Sequence, residues 1–508
     1  MADRSLAEFI AIARSATEPS LTSGNTPQPG GVDPLGLRQI NFDLMDCVLP
    51  GINNVARHIR PFVVVTWAWR RAAQLAGKAR MTRSSVAYLQ DFVDRIEVLY
   101  AWSQFIRNPS ADLPGRDVLA EIISQNSFRF GGAVWEKRRE TRRLSTAFSA
   151  PINYGPALKS LRWLEAAEDG SGAMRPSADA ISAIDALEEC MAAHLEHPAF
   201  SQLGDIEVSG DDVREWGEAW SLDAPTEAER TVMAELLGGE SADKRRRFGV
   251  ALAVQAAYAL APQEGSVRRA MCGSPTDFHP PGPLAETSTR WRKVQVRQVF
   301  RLALEALFAW SIGRLGIVPT PTEALVSAFL RSAPTANESA TTNRWLSKSP
   351  VGVGPVDLLE DLEGALATKG WEGVPEAFCR AIAFCFAEGP HTTEAFEQSD
   401  RLPIAMASKQ AEGWLNEPPA AFVRHIFEAW LFGQHTYWSV GRGLADARAG
   451  GKILLRLRVV LEEGGWTLTP GASAPRPIAT ADRLATILSL ATEAGLLMGG
   501  EAQSSAVD

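Results

Sequence analysis

The chain has 508 residues, 45% of them hydrophobic and 22% charged, with a formal net charge of −9. That balance excludes a disordered or fibrous chain, and the length predicts about two to four folded units. Cys47, Cys190, Cys272, Cys379 and Cys385 are odd in number, widely spaced and without a CxxC pair, which excludes a disulfide framework and a zinc ribbon and fits a reducing cytoplasm.

The opening "MADRSLAEFIAIARSATEPS" carries an early acid and lacks the basic, apolar and small-residue succession of a secretory signal, so export is not expected. Residues 17–36 are crowded with Pro, Gly, Ser and Thr, and residues 1–36 read as a flexible lead. From there apolar residues recur at spacings of three and four, while alternating β-branched runs are scarce. The expected fold class is mainly α: a multi-domain helical protein with room for a small winged-helix-like or hairpin element.

In "GINNVARHIRPFVVVTWAWRRAAQLAGKAR" (51–80), Ile52, Val55, Ile59, Phe62, Thr66, Trp69, Ala73 and Ala76 fall along one helical face. A second row, Arg57, Arg60, Val64, Trp67, Arg71, Gln74 and Lys78, lies about 140° away around the helix. Pro61 either divides this helix or opens it. The uncharged run from Phe62 to Trp69 spans about two turns, against about 20 residues for a bilayer crossing, so no membrane partner is expected.

Two readings of these cations compete. Arg57, Arg60, Arg70, Arg71, Lys78, Arg80 and Arg83 could track phosphates while Trp67 stacks on a base; or the arginines fasten neighbouring helices through carboxylates. A second basic helix, "WEKRRETRRL" (135–144), holds Lys137, Arg138, Arg139, Arg142 and Arg143 against Glu136 and Glu140 alone. It is the better candidate for contact with DNA or RNA, and a solvated face is its plain alternative. Through Glu165 the chain has 21 Lys+Arg against 15 Asp+Glu, a balance of +6, and afterwards 30 against 45, a balance of −15. A basic first third and an acidic remainder suit an acidic partner, or each other.

These features divide the chain into a basic helical part over 37–150, a helical middle over 151–271, a Pro-rich linker over 272–289, an acidic helical part over 290–495 and a disordered tail over 496–508. The first break falls at "SAPINYGPAL" (149–158), and "SKSPVGVGPVD" (347–357) reads as a loop inside the last part. Residues 161–189 run through a Gly-bearing acidic turn into Pro-Ser-Ala-Asp, a succession winged helices share. Residues 452–470 alternate in part and can form a hairpin; plain helix–turn–helix packing competes at both places. "FGVALAVQAAYALA" (248–261) reads as a core helix preceded by the basic run Lys244 to Arg247.

No catalytic signature stands out. Cys190, His194 and His197 share helical spacing, but without HExxH and next to Pro198 they do not predict a metal site. There is no GxSxG elbow. "ARAGGKILL" around Lys452 lacks the leading Gly and the Ser/Thr of a P-loop, and "VGVGPVD" is too short for a dinucleotide fingerprint. No cofactor or metal is expected. In 290–316, Val296, Val299, Ala303, Ala306 and Trp310 have core spacing, and Glu305 can pair with Arg301 one turn earlier. His425 and His435 sit among aromatics that suit a core or an aromatic-lined groove.

The segment "DPLGLRQINFDLMDCVLPGINNVARHIRPFVVVTWAW" (33–69) resembles the amino-terminal block of large, mainly helical, uncharacterised bacterial proteins. The features that carry the likeness are Leu35-Gly36, Pro50-Gly51, Arg57 with Arg60, and Trp67 with Trp69; "QVRQVFRLALEALFAW" is more loosely similar to their later helices. Such proteins are often encoded among accessory genes for phage defence or mobile-element control, which implies other protein subunits as partners and carries no catalytic residues over. The expected function is a non-catalytic subunit or adaptor of a defence or DNA-transaction system. The alternatives are a nucleic-acid-binding protein using the basic third, and an unrecognised nuclease or other hydrolase.

Overall fold

A computed structural model of the chain describes residues 33–78, 86–144, 154–168, 172–260, 264–273, 278–389, 400–448 and 455–497, apart from the side chains of residues 118, 141–144, 156 and 446–448. The fold is mainly helical, as the spacing of apolar residues predicts, and the described strands form three two-stranded antiparallel sheets.

The first core begins with α1 (Arg38–Asp46), α2 (Ile59–Lys78), α3 (Val86–Arg107), α4 (Arg116–Ile123), β1 (Ser127–Phe130) and α5 (Ala133–Leu144). It continues through α6 (Gly155–Ser160), the hairpin of β2 (Leu164–Ala166) and β3 (Met174–Pro176), α7 (Ile181–Cys190) and α8 (Pro198–Ser201). Then come β4 (Ile206–Ser209), α9 (Gly210–Ala219), α10 (Glu227–Gly238), α11 (Lys244–Ala259) and α12 (Glu264–Met271). β4 pairs back to β1, with Ser127 opposite Ser209 and Phe130 opposite Ile206.

α13 (Gly282–Ile312) crosses from this core to the second: Trp291 and Val294 lie in the first, and Val296 to Ile312 belong to the second. Around it stand α14 (Thr322–Arg331), α15 (Pro334–Asn337), α16 (Thr342–Leu346), α17 (Pro355–Ala367), α18 (Val374–Glu388) and α19 (Ile404–Glu412). α20 (Pro419–His425) runs through a π-helical stretch, Ile426–Gly433, into α21 (Gln434–Arg448). β5 (Val459–Glu462) and β6 (Gly465–Leu468) form a hairpin, the reading that competed in 452–470 with helix–turn–helix packing. α22 (Leu484–Glu493) then returns to the first core with Leu484, Ile487 and Leu490.

The cores are interlocked, and several sequence boundaries shift as a result. Residues 33–36 are not part of a loose lead. Asp33 accepts from the N–H groups of Leu37 and Arg38 at 3.0 and 3.2 Å, and Leu35 is buried in the second core. Gly36 has φ +72, and a Cβ there would overlap the Trp438 indole, so only glycine suits this turn. Residues 1–32 and 145–153 lie outside the described residues, but the core does not divide near 150. Tyr154 packs its ring 4.9 Å from that of Phe62. The run 272–289 is only partly a linker, since Gly282 opens α13 with Pro283 at the second helical position, where its missing donor costs nothing. The acidic part does not extend to 495, because α22 packs on the first core, and Leu497 is still buried there.

Local structure departs from the periodicity in two further places. Ile52 to His58 are not helical; α2 starts at Ile59, and Pro61 sits in its first turn instead of breaking it. Leu164–Ala166 and Met174–Pro176 pair as antiparallel strands, followed by a 3-10 turn over Ala178–Ala180, where helical spacing alone would continue a helix.

α13 shows how buried charge is managed. From Val294 to Ile312 every residue is buried, so its polar side chains need internal partners. Arg297 donates to the carbonyls of Leu402 (2.8 Å), Arg401 (2.9 Å) and Leu37 (3.2 Å). Arg301 pairs with Glu305 at 2.7 Å, as their spacing predicts, and Arg38 approaches the same carboxylate at 3.6 Å. Charge-assisted bonds contribute about 1.5–3 kcal/mol each, and an orphaned buried acceptor costs a similar amount. Arg297→Met keeps the stem and removes the donors from three carbonyls. The expected loss is on the order of 3 kcal/mol, seen as a lower urea midpoint by circular dichroism.

Candidate functional site

The cations of α2 are drawn inward by its setting. From Ile59 to Trp69 every residue is buried, because helices cover both faces. Arg60 lies 3.2 Å from the Glu229 carboxylate, with both side chains buried, and also donates to the Ala224 carbonyl. Glu229 has a second duty, since its Oε2 accepts from the Thr226 N–H at 2.6 Å in a capping box that starts α10. Burial pushes the Glu229 carboxyl above the usual carboxylate range, even though Arg60 and Thr226 pull it down. Arg70 bonds Asp185 and Glu188 of α7. Arg71 donates to the carbonyls of Phe200 (3.0 Å) and Leu195 (3.3 Å). Arg57 meets Asp112 at 3.4 Å. Trp67 is fully buried with its ring 6.0 Å from Phe200, unable to stack on a base. Lys78 is exposed at the end of α2, and Arg80 and Arg83 lie outside the described residues. The candidate stripe is therefore not assembled on one open face by the residues described.

On α5, Arg139 reaches Asp91 and Asp94 of α3, each at 3.3 Å, and Glu136 at 3.7 Å. Arg138 bonds Glu121 of α4. Trp135 anchors the helix by donating to Asp91 at 2.6 Å. Lys137 is exposed on the outer side, and the side chains of Arg142 and Arg143 lie outside the description. Arg138 and Arg139 thus tie α5 to its neighbours.

The α2 start also gathers a titratable cluster that periodicity does not reveal. The Glu493 carboxylate, on α22, accepts from the Ile59 N–H at 2.8 Å and meets His58 Nδ1 at 2.5 Å. A carboxylate at a helix start is favoured by the dipole and the free amides. His58 Nε2 lies 3.8 Å from Asp112. Burial alone would lower the His58 pKa, but the bond to Glu493 and the charges of Glu493, Asp112 and Asp223 raise it above the ordinary value. Tyr154 accepts from the His58 N–H at 3.4 Å, and Tyr100 and Tyr154 are buried, their phenols held neutral by burial. An open cleft of about 340 Å³ nearby is lined by Gln104, Arg107, Asn108, Ala111, Leu222 and Asp223. A histidine whose protonated form is favoured by flanking carboxylates is a pin between α2 and α22 and a poor general base.

The remaining candidates are also structural. His197 caps α8 by accepting from the Ala199 N–H at 3.1 Å, His194 faces Glu215 at 3.7 Å, and Cys190 is exposed. Among the described residues no group of three His, Cys, Asp or Glu is placed to hold a metal ion, and no helix is long and apolar enough to cross a membrane. In "VGVGPVD", Asp357 accepts from the Gly354 N–H at 2.8 Å and starts α17. The chain matches no protein-family model, no curated protein and no solved structure.

His435 joins three segments. Its Nδ1 lies 2.8 Å from the Pro34 carbonyl, so Nδ1 carries the proton, and Nε2 accepts from the Arg458 N–H at 2.9 Å. Protonating Nε2 would set two donors against each other. Burial, aided by Arg458 and opposed by the Pro34 bond, lowers the His435 pKa to about 4. Because the folded value lies below the unfolded one, His435 stabilises fully above about pH 6.5 and its contribution fades as pH falls towards 4, by about 3 kcal/mol in all. His58, with a raised value, acts in the opposite sense, stabilising below about pH 6.5 and losing that contribution as pH rises. Subtracting the urea stability of His435→Gln from that of the unaltered chain between pH 7 and 4 isolates His435, and the difference is expected to shrink steadily on acidification.

Proposed function

We propose that this chain is a non-catalytic helical subunit or adaptor of a bacterial multi-gene anti-phage defence or DNA-transaction system. One observation carries the reading: the buried ionic groups with unusual surroundings, Arg60, Glu229, Arg297, Glu305, His58 and His435, all have partners within the chain. Such groups fix geometry; they offer a substrate no free acid, base or nucleophile. The likeness of 33–69 to helical proteins of accessory defence genes gives the setting. The apolar side chains of Ile317, Val318 and Leu461, 91%, 72% and 65% exposed beside the β5–β6 hairpin, suit a protein that meets others. Purifying the tagged chain from cells carrying its native gene neighbours is expected to bring a stoichiometric protein partner. A chain that stays alone while turning over a substrate contradicts the reading.

The second reading, a nucleic-acid-binding protein, is favoured by the exposure of Lys78 and Lys137. It is tested at these two exposed lysines and not at Arg139, which neutralises the largely buried Asp91 and Asp94. The subunit reading predicts no gel shift with duplex DNA or single-stranded RNA even at low salt. A shift that Lys78→Glu and Lys137→Glu abolish, with affinity falling steeply as salt rises, favours the second reading.

A further inference from the structure

On the first core, α1, α11 and α13 leave a cleft of about 370 Å³ lined by Leu44, Cys47, Arg245, Arg290 and Lys293. Its three cations come from two helices. Arg290 and Lys293 are three residues apart on α13 and share a face, and Arg245 stands in the first turn of α11. Other arginines of the same helices are committed: Arg246 donates to the carbonyls of Leu236, Pro50 and Ser160 at 3.2 to 3.3 Å, and Arg297 to the three named above. The cleft cations bind no carbonyl of a distant segment, and two of them pair only with acids of their own helix or its cap. Arg245 reaches only Asp243, the cap of its own helix, at 3.4 Å. Arg290 meets Glu286, which is 77% exposed, at 2.5 Å. Lys293 has no acidic partner among the described residues, and it is half-buried.

The local sequence makes this excess of charge costly. Lys244, Arg245, Arg246 and Arg247 crowd the first turn of α11, the positive end of its dipole, and each unfavourable charge there costs about 0.3–1 kcal/mol. Arg246 is explained by its carbonyls, and Lys244 and Arg247 lie 5.7 and 5.6 Å from the Phe248 ring centre. Arg245 is held only by the long pair with Asp243. Asp243 already occupies the N–H groups of Arg245 and Arg246, so an incoming anion would be held by side chains and not by the helix start.

We propose that this cleft binds an oligophosphate anion, with Arg245, Arg290 and Lys293 as its ligands. Lys293 is free of an acidic partner among the described residues, and Arg245 and Arg290 are held by partly exposed carboxylates, Asp243 and Glu286, that a di- or triphosphate could replace. The remaining lining, Leu44 and Cys47, offers no aromatic face for a base, so recognition rests on the phosphate chain, whether free or carried by a nucleotide. The site is independent of the subunit reading.

The cleft contains its own reporter. Cys47 and Cys190 are exposed while Cys272, Cys379 and Cys385 are buried, and Cys47 alone lines the cleft. The full chain is alkylated with iodoacetamide in the presence of pyrophosphate, ADP, ATP or sodium chloride of matched ionic strength, and each thiol is followed by peptide mass spectrometry. A ligand at about ten times its Kd is expected to slow Cys47 about tenfold and leave Cys190 unchanged. Pyrophosphate as the tighter ligand identifies free oligophosphate as the source, and ADP or ATP as the tighter identifies a nucleotide. Arg290→Gln with Lys293→Gln, two partly exposed changes, is expected to abolish the protection. Three results overturn the proposal: no protection of Cys47, equal protection by sodium chloride or at Cys190, or protection that survives in the double variant.

Discussion

Buried guanidinium groups bound to backbone carbonyls are the interaction on which this structure most depends. Helix ends and the loops between packed helices leave carbonyls without intrahelical partners, and in a large helical protein many of them are shut off from water. Arginine can satisfy several at once, since it has five donors in a fixed fork and stays charged under all working conditions. Arg71 serves two carbonyls, Arg95 binds those of Gly204 (2.9 Å) and Gln202 (2.5 Å), and Arg246 and Arg297 serve three each. Each of these groups fixes a loop to a helix that is distant in sequence.

The same logic ties the two ends of the described chain into opposite cores. Pro34 is held by His435, and the Gly36 carbonyl by Arg401 at 3.2 Å, so the amino-terminal segment belongs to the second core. Glu493 caps α2, and Arg483 bonds Asp46 (2.5 Å) and the Leu49 carbonyl (2.8 Å), so the carboxyl-terminal helix belongs to the first. With α13 running through both, neither core is closed without residues from the far end of the sequence. The charge asymmetry has the same outcome. Arg60, Arg70, Arg71, Arg107 and Arg129 of the basic third pair with Glu229, Asp185, Glu188, Glu218 and Asp205 of the acidic remainder.

The helical class was legible because residues such as Val296, Val299, Ala303 and Trp310 recur at helical spacing, whereas the partial alternation in 452–470 left the hairpin open against helix–turn–helix packing. β1 and β4 were not legible. Each has four residues, and the signal lies in a pairing that joins Ser127 to Ser209. The rows on α2 were readable as faces, but burial on all sides of Ile59 to Trp69 depends on helices that periodicity within one segment cannot report. Glu229 could have been found from Thr226-x-x-Glu229, the signature of a capping box. Glu493 and His435 could not, since their partners lie hundreds of residues away. The cleft cations left only the run Lys244 to Arg247 as a trace, and α13 supplied the rest through the fold.

The central claim is that the arginines of the basic third hold the protein together, and the Arg60–Glu229 pair tests it most directly. A double-mutant cycle of Arg60→Met and Glu229→Gln, followed by urea unfolding, measures their coupling. Arg60→Met alone is expected to cost on the order of 3–5 kcal/mol by leaving a buried carboxylate uncompensated, and Glu229→Gln to recover at least about 1 kcal/mol of that loss. An Arg60→Met variant as stable as the unaltered chain, with no coupling to Glu229, would contradict it.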